Sequence, residues 1–181
     1  MAESPAIRTG RPAAFDSAQE RDGARNGAAL SPCRRYRYAL WRTWDETLPR
    51  VMFVGLNPST ADETVDDPTL RRTMEFARRW GYGGVGNGNL FAYRATAPRD
   101  MMAADDPVGP ENDEWLTRLA GEAGLVVAAW GNDGVFLQRS AAVRSLLSRL
   151  HCLKVNASGE PAHPLYQRAD TRPRPLDSPA T

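Results

Sequence analysis

Two short apolar runs constrain this chain most. Val51-Met52-Phe53-Val54-Gly55-Leu56 ends in Asn57-Pro58, and Leu125-Val126-Val127-Ala128-Ala129-Trp130 ends in Gly131-Asn132. Both read as buried core strands rather than helices. Between them Asp67-Pro68 begins a helix, with Asp as N-cap and Pro at its first position. Leu70, Met74, Ala77 and Trp80 give that helix an apolar stripe, and Gly81, Gly83 and Gly84 stop it. Val85 to Tyr93 is the next strand, in which Gly86 and Gly88 permit close approach of another group. Pro110-Glu111-Asn112-Asp113 opens a second helix running to about Ala123. Gly131-Asn132-Asp133 opens a third, with Phe136, Val143, Leu146, Leu147 and Leu150 facing inward. His151 to Asn156 is a fourth short strand, and Gly159 to Tyr166 a closing loop. Arg35 to Trp44 alternates basic and aromatic residues and suits an edge strand.

This order predicts a three-layer α/β fold with a mainly parallel, four-stranded central sheet and helices on both faces. Residues 1–33, rich in Ala, Arg, Gly, Ser and Pro, read as a disordered N-terminal tail. Residues 34–168 read as one α/β domain and 169–181 as an extended C-terminal tail. In such sheets ligands bind beyond the carboxyl ends of the strands.

The chain has 181 residues, 41% hydrophobic and 25% charged, which excludes wholesale disorder. No apolar run approaches the ~20 residues of a membrane span, and no apolar segment follows the first basic residues, so a cytoplasmic protein is expected. Two cysteines, Cys33 and Cys152, and two histidines, His151 and His163, lack metal-ligand spacing. No metal or cofactor is expected. The net charge is +1, and all 23 basic residues except Lys154 are Arg. That skew fits a GC-rich genome, and it equally fits bidentate phosphate recognition.

Polar residues collect at the strand ends. In Gly55-Leu56-Asn57-Pro58-Ser59-Thr60-Ala61-Asp62, Asn57 either positions a water or substrate hydroxyl, or closes an Asx-turn. Asn89, inside an apolar strand, either makes a structural hydrogen bond or reads a nucleobase edge. Trp130 reads as core more than stacking platform, and Gly131 lets the next helix start close to the sheet. His163, between Ala162 and Pro164, is either a turn residue or a neutral donor to an oxygen that gains charge. His151 reads as a helix C-cap. Asp67 reads as a cap with Arg71 and Arg72 solvated, and the Asp66-Asp67 pair argues against phosphate at that helix start.

Six strings in order are similar to the bacterial and phage domain-of-unknown-function family 1643, over about residues 35 to 166. They are Gly55 to Asp62, Asp66-Asp67-Pro68-Thr69, Trp80 to Gly84, Asn89 to Thr96, Asp106 to Asp113, and His163-Pro164-Leu165-Tyr166. That resemblance implies no established reaction. More distantly, Gly55-Leu56-Asn57-Pro58, Asn89, Ala129-Trp130-Gly131 and Ala162-His163-Pro164 resemble, in order, the motifs of the uracil-DNA glycosylase superfamily. The resemblance implies that fold, with Asn57 placing the hydrolytic water, Asn89 reading the base and His163 bonding the base oxygen as charge develops. It implies no metal or diffusible cofactor.

Asn57 and His163 are thus the expected catalytic residues. Asn89, Ser59, Asp62, Phe91, Tyr93, Arg94, Trp130 and Gly131 form the expected substrate-binding set, with Phe91 or Tyr93 stacking on the base. Three features depart from the patterns: Leu165-Tyr166 replaces a serine-rich turn, the Asn57–Asn89 spacing is short, and Ala157 and Ala162 stand where basic residues are expected. The expected function is binding of a nucleobase or nucleotide, with hydrolysis of an N-glycosidic bond in DNA. The alternatives are a non-catalytic nucleotide-, modified-base- or protein-binding module, and a hydrolase of free nucleosides or nucleotides.

Overall fold

The structure is a computed structural model that describes residues 25–59 and 66–176. Alternation of the apolar runs builds its centre. In β3 (Arg50–Gly55) and β5 (Ala123–Ala128), Met52, Val54, Val126 and Ala128 face one side. Val51, Phe53 and Val127 face the other. Both sides of these strands are therefore covered, which is why they lack polar alternation.

The second side packs against α1 (Pro68–Arg79), through Leu70, Phe76 and Ala77. The first side packs against α2 (Pro98–Met102), α3 (Asn112–Glu122) and α4 (Arg139–Leu146), through Met101, Leu116 and Val143. The start of α1 is as expected: the Asp67 carboxylate accepts from Leu70 N at 2.7 Å, and Pro68 takes the first helical position.

The sheet is larger than expected and mixed. It has seven strands in the order β1-β2-β4-β3-β5-β6-β7. The outer members are β1 (Asn26–Leu30), β2 (Arg37–Thr43) and β7 (Arg174–Pro175), and β4 (Gly84–Asn89) and β6 (Leu150–Cys152) complete it. The four strands expected from the sequence form the contiguous block β4-β3-β5-β6, in which each neighbouring pair is parallel. The other three strands pair antiparallel; β2 was expected, as an edge strand, and β1 and β7 are the additions.

Two expectations fall with them. Asn26–Leu30, placed in the tail, pairs along β2, so β2 lies inside the sheet and not at its edge. Residues 174–175, placed in the extended C-terminal segment, add a short strand beside β6.

The third helix is also broken. A 3-10 segment over Asn132–Gln138 precedes α4, and Leu137 and Gln138 adopt left-handed φ values of 50° and 55° between them. Of the residues expected to face inward, Val143 and Leu147 are buried, while Leu146 is exposed and Leu150 belongs to β6. His151 lies in β6 and caps no helix; Leu147 is the C-cap of α4.

Among the described residues no helix is long and apolar enough to cross a membrane. No group of three or more His, Cys, Asp or Glu among them is placed to hold a metal ion.

Candidate ligand-binding cleft

A cleft opens beyond the carboxyl ends of three strands, β3, β4 and β5, as the sheet topology predicts. Its volume is about 530 Å³, the size of a small-molecule site. The first wall is the start of α1, and the opposite wall is the turn at Gly131-Asn132-Asp133. His163, Pro164 and Tyr166 close the mouth.

The floor comes from β4. Period-2 alternation sends Val85, Asn87 and Asn89 toward α1 and leaves Gly84, Gly86 and Gly88 toward α3. The group that Gly88 admits is α3 itself: a Cβ there would meet Leu116 Cδ2 at 2.7 Å. Asn89 is only 8% exposed, yet its side-chain amide makes no hydrogen bond among the described residues. Its backbone is held firmly instead. Asn112, buried at the start of α3, donates from Nδ2 to the carbonyls of Asn89 and Leu90 at 3.0 and 2.9 Å. Arg139 Nε donates to the same Leu90 carbonyl at 2.8 Å.

Gly55 pairs with Asn89 across the parallel ladder. A Cβ on Gly55 would stand 2.8 Å from Asn89 Oδ1. Gly55→Ala should therefore displace the amide while costing little stability, because only a side-chain tip must move.

Asn57 closes its loop, as the turn reading expected. Its Nδ2 donates to Pro58 O at 3.1 Å and Ala95 O at 2.9 Å, which closes the loop. With both N–H groups committed, Oδ1 is the atom left to accept from a water. Ser59 Oγ donates to Asp67 Oδ2 at 3.4 Å. Asp62 lies outside the described residues.

His163 caps the 3-10 turn Pro164–Tyr166, its Nδ1 accepting from Leu165 N at 3.3 Å. An acceptor Nδ1 leaves the proton of the neutral ring on Nε2. Burial pushes the imidazole below its ordinary value of 6.5, with the Asp67 carboxylate acting in opposition. The ring is thus neutral near pH 7, as a donor to a developing anion requires.

This carries a stability consequence. Above pH 6.5 neither the folded nor the unfolded form binds the proton, so the group is silent there. Below it the unfolded chain protonates first and the folded state loses stability. As the pH falls below 6.5, His163→Gln should lose less thermal stability than the parent protein. Equal losses would show that this ring is not held neutral by its surroundings.

The remaining expected residues lie elsewhere. Phe91 is fully buried and packs on Phe136 with ring centroids 5.6 Å apart. Tyr93 meets Tyr36 edge-on at 5.9 Å, and Arg94 donates to Arg34 O. None of these three lines the cleft. Trp130 borders it but is a core residue, its Nε1 donating to Glu160 Oε2 at 2.6 Å. Gly131 turns the chain at φ 74° and donates to Pro161 O.

Several cleft residues were missed, Asn87, Arg37 and Tyr166 among them. Asn87 shares the Asn89 face, a relation that period-2 alternation already contains. Arg37, 7% exposed, also lines the floor. A bulge in β2, where Ala29 pairs with Ala39 but Leu30 with Arg37, puts it there, and nothing in the sequence announces that bulge. Tyr166 is 84% exposed, with its ring 5.7 Å from that of His163.

Together these features define an α/β protein with a half-open cleft, lined by polar and apolar side chains alike, at one end of a parallel block. Residues 37–165 match the family described as Protein of unknown function (DUF1643), and the chain belongs to that family. No curated protein and no solved structure gives a significant match, so the more distant resemblance gains no support from these comparisons.

Proposed function

We propose that this cleft binds a nucleobase and that the chain hydrolyses an N-glycosidic bond, by chemistry resembling that of the uracil-DNA glycosylases. The Asn89 amide carries the reading. It is nearly buried, it borders the cleft, and it spends none of its donors or its acceptor on the described residues. A group with one acceptor and two donors suits the edge of a planar heterocycle. The contiguous parallel order β4-β3-β5-β6 and the chain order Asn57, Asn89, His163 also support it.

In this reading Asn57 Oδ1 accepts a hydrogen bond from a water and aims it at the anomeric carbon. The water oxygen bonds to that carbon while the glycosidic pair leaves with the base. His163 Nε2–H donates to the base oxygen as negative charge develops. The remaining water proton ends on the departing base. Asn57 cannot accept a proton, so electrostatic stabilisation of the leaving group has to supply most of the acceleration. A base in duplex DNA would first have to be flipped into the cleft.

A second reading draws on the charges. Asp67 and Asp133 border the cleft with Arg37, which suits an uncharged nucleoside better than a phosphate-bearing ligand. Labelled single- and double-stranded oligonucleotides carrying uracil, hypoxanthine, mismatched thymine or 5-hydroxymethyluracil, assayed beside the free nucleosides, separate the two. Strand scission by alkali, lost in His163→Ala, is the result expected of a DNA glycosylase. Hydrolysis of nucleosides alone would select the second reading. Binding without hydrolysis would leave a non-catalytic module.

A further inference from the structure

We propose that Asn87 is a second recognition amide in the cleft floor and that it selects a ring carbonyl over a ring amino group. This rests on the base-binding reading and specifies which bases the site takes. Asn87 borders the cleft one alternation before Asn89 on β4. A strand rise of about 3.3 Å per residue puts the two side chains about 6.6 Å apart on one face. That spacing matches two functional groups on one ring system rather than one group contacted twice.

The two amides differ in one respect. Asn87 Nδ2 is buried and has no hydrogen-bond partner among the described residues. A buried, unpaired N–H is one of the least tolerated defects in a protein interior, more so than an under-used carbonyl oxygen. The flanking positions offer no remedy. Asn87 pairs across the sheet with Leu40 on β2 and Phe53 on β3, whose side chains are apolar. A half-turn about the terminal torsion would bring the NH2 group to the cleft, where a ligand acceptor could meet it.

The ligand that relieves this orphan presents a carbonyl oxygen. An exocyclic amine, itself a donor, would leave it unpaired. Uridine and cytidine differ in this way at one ring position, and inosine and adenosine at another. Asn89, whose amide bonds none of the described residues, tolerates either member of each pair; Asn87 breaks the tie.

The test is calorimetric titration of the full chain with uridine, cytidine, inosine and adenosine. The parent protein should favour uridine over cytidine, and inosine over adenosine, by about tenfold or more. Asn87→Leu should erase that preference. Asn87→Asp, which places an acceptor there, should reverse it. Asn87→Ser serves in place of Asn87→Leu if the latter does not fold, as judged by circular dichroism.

Equal affinities for both members of each pair in the parent protein would overturn the role of Asn87 while leaving base binding intact. So would a preference that survives in Asn87→Leu and Asn87→Asp. Failure of the parent protein to bind any of the four nucleosides would overturn this extension, and failure to bind the base-bearing oligonucleotides as well would overturn the base-binding reading.

Discussion

Asn89→Ala should weaken binding of the preferred nucleoside about a hundredfold, the upper range for losing one well-placed amide pairing to a base edge. The same change should move the thermal midpoint very little. The asymmetry follows from the bonding. The Asn89 side chain makes no hydrogen bond to the described residues, so its removal orphans none of their polar groups. Asn112→Ala makes the contrast. It removes two buried hydrogen bonds, to the carbonyls of Asn89 and Leu90, and should cost about 1–3 kcal/mol. Calorimetry and thermal melts on the two variants check the pair of results. An Asn89→Ala protein that binds like its parent would remove this residue from the site.

Glu160→Ala should produce the largest loss of stability from a single side chain in this region. The buried Glu160 carboxylate accepts from Trp130 Nε1 at 2.6 Å and from Ser140 Oγ at 3.1 Å. Arg144 lies 3.6 Å from it, and the same guanidinium donates to the Gly159 carbonyl. The group therefore ties the loop before His163 to the end of β5 and to α4. Removing one partner of a buried ion pair costs about 3–5 kcal/mol, because the other is left uncompensated. Urea unfolding followed by tryptophan fluorescence reads it directly. Glu160→Gln, which keeps one acceptor for two donors, should fall between the parent and Glu160→Ala. By contrast, removing the exposed pairs Arg168–Asp170 or Arg118–Glu122 should cost about 1 kcal/mol or less. A Glu160→Ala loss in that range would mean that the network does not hold the loop.

The legible parts of this fold are those whose information is local. The cap of α1 needs only Asp67, Pro68 and the stripe that follows. The strands β3 and β5 declare themselves as apolar runs because both their faces are buried. The illegible parts depend on partners far away in the chain. β1, with the sequence Asn-Gly-Ala-Ala-Leu, is short and small-sided, and becomes a strand by pairing with β2. The break before α4 carries no proline, and the two left-handed residues are Leu137 and Gln138, neither a usual choice for that conformation.

The site divides in the same way. Asn57, Asn89 and His163 were found from their positions at strand ends, and the structure brings all three to one cleft. Phe91 and Tyr93 were placed beside Asn89 from their position in the expected strand Val85 to Tyr93, whose alternation would put them on its face. That expectation fails because β4 ends at Asn89. Beyond it the Leu90 carbonyl is taken by Asn112 and Arg139 instead of by a ladder partner, and the chain leaves the alternation. The aromatic ring at the mouth is Tyr166, which in the sequence is only the residue closing the His163-Pro164-Leu165-Tyr166 string.

The bare face of β4 has a further consequence. Where Leu116 rests on Gly88, the sheet is one backbone thick: an aliphatic side chain on one side, the two asparagine amides that border the cleft on the other. Leu116 touches no ligand, yet trimming it would let the strand settle toward α3 and carry Asn87 and Asn89 with it. The pocket can thus be retuned from behind. A lineage that changed its ligand could do so through an aliphatic substitution hidden on the far side, with every residue facing the cleft unchanged.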